Sequence, residues 1–136
     1  MTQEEKELLL KDLCARLPYG VKMSVNDRVE VLQGINIVDN IVEYSSFLAS
    51  EIEHCKPYLF PLSSMTEEQK EELKQKHIKD EELYVECLTK AAKGDRSMKG
   101  KVIIHYAMDW CNANHFDYRG LIEKGLAIDA TGLNIY

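Results

Sequence analysis

The segment Leu17-Pro18-Tyr19-Gly20 separates two different hydrophobic periods, and this change constrains the fold more than any other feature of the chain. Before it, Leu9, Leu10, Leu13 and Leu17 recur at three- and four-residue spacing, which places them on one side of an α-helix. Glu4, Lys6, Lys11 and Asp12 fall on the other side. Thr2 followed by Glu5 is a capping box, so the helix should start there. It should end before Pro18, because a residue preceding proline is pushed out of the helical region and Gly20 can take the turn.

After Gly20 the period is two. Val21, Met23 and Val25 alternate with Lys22 and Ser24, and after Asn26-Asp27 the alternation resumes at Val29 and Val31, the pattern of a hairpin. Asp39-Asn40 is a second turn, dividing Ile35 and Ile37 from Val42 and Tyr44. Residues 20–47 therefore read as a three-stranded antiparallel meander with a bulge at Gly34, and Ile52 to Cys55 as a fourth strand. The fold class expected is α+β: an N-terminal helix, a short antiparallel meander or small partly open β-barrel, then C-terminal helices. Leu9, Leu13 and Leu17 should pack on the Val21, Val29 and Val31 face.

Two prolines among large apolar residues make Lys56 to Leu62 an extended strap over the core. Thr66 and Gln69 form a second capping box, opening a charged helix to about His77 in which Leu73 is the apolar residue. Asp80 to Ala92 is a more amphipathic helix through Leu83, Val85, Cys87 and Leu88, stopped at Gly94. Val102 to Asn114 has helical spacing through Ile103, Tyr106, Ala107, Trp110 and Cys111, although Val102-Ile103-Ile104 would also suit a strand. Phe116 to Tyr136, punctuated by Gly120, Gly125 and Gly132, should form short turns packed on the body.

At 136 residues and 45% hydrophobic, the chain is expected to form a single domain over residues 1–136 without disulfide or metal staples. No apolar run approaches the roughly 18 residues needed to span a bilayer, and the opening MTQEEKE is unlike a secretory signal, so a cytoplasmic location is expected. Cys14, Cys55, Cys87 and Cys111 include no CxxC pair, which fits reduced, mostly packed thiols.

Motifs with short local signatures are absent: the P-loop, GxGxxG, HExxH, GxSxG, the EF-hand loop and the kinase set. One compact polar constellation remains, Asn112, Asn114, His115, Asp117, Tyr118 and Arg119. As a catalytic site, His115 would be a general base oriented by Asp117, with Arg119 holding an anion. As a helix end, Asn114 would be the C-cap, Asp117 an Asx-turn former, and His115 and Arg119 donors to the last carbonyls. His54-Cys55 would be half of a metal site or a reactive thiol with its base, but it lacks metal-ligand spacing toward His77, His105, His115 or the other cysteines and reads as a packed thiol beside a partly exposed imidazole. Tyr106 with Trp110, and Tyr58 with Phe60, read as core pairs. No cofactor and no metal are implied.

Lys90, Lys93, Arg96, Lys99 and Lys101 form the one basic stretch and would be the contact residues of a nucleic-acid adaptor. Against that reading, the net charge is −6 and no aromatics interleave with the lysines.

Three stretches together resemble an abundant family of small uncharacterised proteins from Bacteroides-type gut bacteria and their phages or prophages. They are LLKDLCARLPYGVK from Leu9 to Lys22, CKPYLFPLSSMTEEQKEEL from Cys55 to Leu73, and NHFDYRGLIEKGLA from Asn114 to Ala127. The chain departs from the usual pattern at Cys111 and Phe60, where a leucine and a basic residue are usual. The resemblance implies one domain with strap and tail as integral parts, and an accessory protein that binds or modulates another macromolecule rather than an enzyme. It brings no activity, fold or site residue.

Overall fold

The computed structural model describes residues 1–77 and 101–136, with side chains outside 74–77 and 101–106. Helix α1 spans Gln3–Arg16. Thr2 Oγ1 accepts the Glu5 N–H at 3.1 Å and Glu5 Oε2 accepts the Thr2 N–H at 2.8 Å, so the capping box forms as expected. A 3-10 turn, Leu17–Tyr19, ends it, and Gly20 reverses the chain at φ 64°.

Strands β1 (Lys22–Val25) and β2 (Arg28–Asn36) form the expected hairpin. Asn26 and Asp27 both have positive φ, 47° and 61°, the backbone of a two-residue turn whose twist matches the strands. Such a turn pairs odd-numbered β1 residues with even-numbered β2 residues: Val25 is opposite Arg28, Ser24 opposite Val29, and Lys22 opposite Val31. Residues opposite each other share a face. Val29 and Val31 therefore lie with Lys22 and Ser24 on the outer face, and Val29 is 48% exposed. This corrects the expectation that they meet α1; Leu32 is the buried β2 residue there.

The expected bulge occurs, with the register shifting between Leu32 and Gly34. The extra residue returns Ile35 to the inner face opposite Val42 of β3 (Ile41–Tyr44). β2 ends at Asn36, whose Oδ1 accepts the N–H groups of Val38 and Asp39; Ile37 belongs to the turn and not to the strand. The fourth strand, β4, is Ala49–Glu51 rather than Ile52 to Cys55, which instead form a 3-10 turn, Ile52–His54, and the start of β5.

The proline strap is strand β5 (Cys55–Pro61), inside the sheet and not over it. It runs antiparallel to β1 and parallel to two short strands of the tail, β6 (Phe116–Asp117) and β7 (Ile128–Asp129). Pairing with β7 starts at Tyr58, so Pro57, opposite Met23, has a strand neighbour on the β1 side only, and Pro61 closes the strand. The sheet path runs β4-β3-β2-β1-β5-β6, and its two ends do not pair with each other among the described residues.

A 3-10 turn, Leu62–Ser64, and helices α2 (Glu67–His77) and α3 (Lys101–Ala113) complete the described elements. Thr66 and Gln69 cap α2 reciprocally, at 2.9 and 3.2 Å. Two apolar clusters result. In the first, Leu9 and Leu13 of α1 pack with Met23, Leu32, Val42 and Leu59 of the sheet, Val21 just before β1, Ile52 of the 3-10 turn and Leu121 of the tail. In the second, Leu73 of α2 meets Ala107 and Cys111 of α3, Phe116 and Tyr118. The helix expected over Asp80 to Ala92, with Cys87 and Gly94, lies outside the described residues. Among the described residues no helix is long and apolar enough to cross a membrane.

Candidate functional site

At the end of α3, Asn114 folds back: its Nδ2 and its backbone N–H both donate to the Trp110 carbonyl, at 2.9 and 3.0 Å. Asn114 is thus the helix cap. His115 follows at φ 64°, and its carbonyl accepts the Phe60 N–H at 2.8 Å, which ties the turn to β5. The His115 ring stacks on Tyr136 with centroids 3.8 Å apart and planes 10° apart. Tyr136 Oη in turn accepts the Lys22 N–H at 2.9 Å and donates to the Tyr58 carbonyl at 2.8 Å, bridging β1 and β5. Burial, with the charges of Arg16 and Lys22, lowers the His115 pKa to about 4, so the ring is neutral at pH 7.

Asp117 is buried, and its carboxylate is fully engaged by the chain that follows. Oδ1 accepts the Leu121 N–H at 3.0 Å and Oδ2 the Ile122 N–H at 2.9 Å. The carboxylate organises the tail turn, as an Asx-type residue does, and His115 makes no side-chain hydrogen bond to it. Two residues apart in sequence, His115 and Asp117 are thus separated in role.

Arg119 reaches elsewhere. Its Nε lies 3.1 Å from Asp12 Oδ1, its Nη2 donates to Tyr118 Oη at 3.0 Å, and its guanidinium lies 4.9 Å from the Tyr118 ring centroid. Asp12 also receives Arg16, whose Nε donates to Oδ2 at 2.7 Å while its Nη2 donates to the Phe116 carbonyl at 2.7 Å. Asp12 and Arg16 are fully buried. The amphipathic reading of α1 had put Asp12 on the water side; the structure puts it at the centre of a network joining α1 to the tail. The expectation that His115 and Arg119 donate to the last carbonyls of α3 is also corrected, since neither side chain does so among the described residues. Burial alone would lower the Arg16 pKa, but the charge and hydrogen bond of Asp12 reverse this and hold it raised. Burial raises the Tyr118 pKa. The signal available in the sequence was the Asp12 and Arg16 spacing of four, which stacks two side chains on one helix face.

Other candidates separate. His54 is exposed beside Glu51 at 3.7 Å, whereas Cys55 is buried, bonded through Sγ to the Ile52 carbonyl, and burial raises its pKa. Trp110 stacks on Phe116 at 5.5 Å, and Phe60 lies 6.0 Å from the same ring, so both serve the second cluster. No group of three or more metal-ligating side chains forms among the described residues. Lys90, Lys93, Arg96 and Lys99, and the side chains of Lys101, His105 and Tyr106, lie outside the described part.

A second surface stands out on the meander. The β2–β3 turn exposes Ile37 and Val38, the latter 90% exposed, and the β3–β4 turn exposes Leu48 and Phe47. Phe47 is 96% exposed and has φ 68°. The apolar pair Phe47-Leu48 following Ser45-Ser46 was the sequence signal, which a reading directed at strands passes over. Compared with known protein families, curated proteins and solved structures, the chain matches none.

Proposed function

We propose that the protein is a non-enzymatic protein-interaction module whose meander turns engage another protein. Phe47 carries this reading. A bulky residue in the left-handed region costs on the order of 1–3 kcal/mol, and a ring left in water returns nothing to the fold. A partner that buries the ring gives that conformation a use. Leu48 and Val29 add exposed apolar area near the same end of the meander, since Tyr44 N–H bonds Leu48 and Ser45 N–H bonds Val31.

The charge around the turns narrows the partner. Between residues 28 and 53 the acids are Glu30, Asp39, Glu43, Glu51 and Glu53, and the one base is Arg28. An apolar pocket rimmed by lysine or arginine complements this surface; a phosphate backbone does not. The accessory role implied by the resemblance to a phage-associated family supports binding of another macromolecule over catalysis. A catalytic use of His115, Asp117 and Arg119 gains no support from a cluster whose members each have separate structural partners.

The test uses Phe47→Gly together with a photo-reactive phenylalanine at position 47. The photo-probe identifies the partner, which is then purified and titrated. Glycine relieves the backbone, so stability should be unchanged or raised, while affinity for the partner should fall about tenfold or more. A destabilised Phe47→Gly, or one that binds as well as the parent, would overturn the reading. So would micromolar binding of the parent to nucleic acid at about 150 mM salt, because nonspecific binding is typically weaker than that.

A further inference from the structure

A cavity of about 700 Å³ opens where the two apolar clusters meet. Leu8 of α1 and Ile122 of the tail, half-buried members of the first cluster, form one side, and Leu62, from the second, forms the other. The volume is that of a small-molecule site. Arg119 lines it, with a side chain only 7% exposed.

The guanidinium of Arg119 is under-used by the protein. A guanidinium carries five N–H donors. Among the described residues only Tyr118 Oη takes a hydrogen bond from it; the approach of its Nε to Asp12 Oδ1 lacks hydrogen-bond alignment, and both atoms are sealed from water without a hydrogen-bond partner. Arg16 Nη1, on the other guanidinium at Asp12, is likewise sealed and unpartnered. Asp12 is thus shared by two guanidinium groups. Of the acids on the cavity, Asp117 has both oxygens committed to backbone N–H groups, and exposed Glu123 adjoins exposed Lys124. A dianion would be repelled by the two carboxylates; a planar monoanion matches the fork of one arginine.

From this geometry we infer that the cavity binds an apolar chain ending in a carboxylate, the carboxylate on Arg119 and the chain along Leu8, Leu62 and Ile122. Both a free fatty acid and the C-terminus of a peptide with an apolar last residue have this chemistry. The site lies apart from the Phe47 turn and does not depend on it.

Calorimetric titration of the full chain tests the assignment with decanoate, decanol, inorganic phosphate, and a short peptide ending in leucine as free acid and as amide. Decanoate should bind about tenfold or more tightly than decanol or phosphate, and Arg119→Gln should remove that advantage with an unchanged circular dichroism spectrum. Leu8→Trp, which puts a bulkier side chain on the lining and leaves Arg119 in place, should abolish binding even where Arg119→Gln impairs folding. A free-acid peptide that outbinds both its amide and decanoate assigns the site to a protein C-terminus, the reverse order to a fatty acid, and both uphold a carboxylate site. Equal binding of decanol, phosphate binding as tight as decanoate, an undiminished Leu8→Trp, or no heat with decanoate up to about 1 mM would overturn it.

Discussion

Replacing Asp12 should destabilise this protein more than replacing either arginine that it holds. The carboxylate is fully buried, 2.7 Å from Arg16 Nε and 3.1 Å from Arg119 Nε. At an effective dielectric constant of about 20, each contact is worth on the order of 5 kcal/mol of Coulomb energy, most of which offsets the cost of taking the charges out of water. Removing one partner of a buried pair strands the other, at about 3–5 kcal/mol, and Asp12→Leu strands two at once, so the upper part of that range is expected. Arg16→Met leaves Asp12 paired with Arg119, but frees the Phe116 carbonyl that Arg16 Nη2 had satisfied, and should cost about 2–4 kcal/mol. In the double variant Asp12→Leu with Arg16→Met, the one charge left is Arg119, which borders an open cavity and can regain water. The double variant should therefore recover at least about 1 kcal/mol relative to the sum of the singles. Urea unfolding at pH 7, followed by Trp110 fluorescence with m-values compared across the set, measures all three. Strict additivity, or a cost below about 1 kcal/mol for Asp12→Leu, would refute the shared-carboxylate argument.

Two further outcomes are expected. Asp117→Ala should cost about 2–4 kcal/mol in urea, because it leaves the N–H groups of Leu121 and Ile122 without their charged acceptor, and Asp117→Asn, which keeps one acceptor oxygen, about half as much; a loss below about 0.5 kcal/mol for alanine would reject the capping role. For His115, the unfolded chain takes up a proton near pH 6.5 and the native state only near 4, so the contribution is complete above about pH 6.5 and is lost as pH falls toward 4. Discounted for the partial exposure of the ring, that loss is about 1–2 kcal/mol, and His115→Phe should show a correspondingly shallower fall in unfolding free energy between pH 7 and 4.

What could be read from residues alone was whatever neighbouring residues decide among themselves. Thr2 with Glu5 and Thr66 with Gln69 start helices by bonds within one turn, Gly20 reverses the chain after the first by its own φ, and Asn26-Asp27 adopt the left-handed pair that a tight hairpin needs. The bulge at Gly34 and the cap at Asn114 belong to the same class. The face of a strand does not. A period of two states that Val29 and Val31 share a side, but the two-residue turn decides which side, and it puts them outward. The prolines of β5 marked an extended segment; only the arrival of β6 and β7 from the far end of the chain made it an interior strand. The site divides in the same way. The polar run from Asn112 to Arg119 was legible because its composition is local, whereas Asp12, which gives Arg119 its position, looked like one more charge on the wet side of a helix. Hydrophobic periodicity assigns a charged residue to water by default. An ion-pair partner reaching Asp12 from the opposite end of the sequence reverses that assignment, and only the tertiary structure brings the two together.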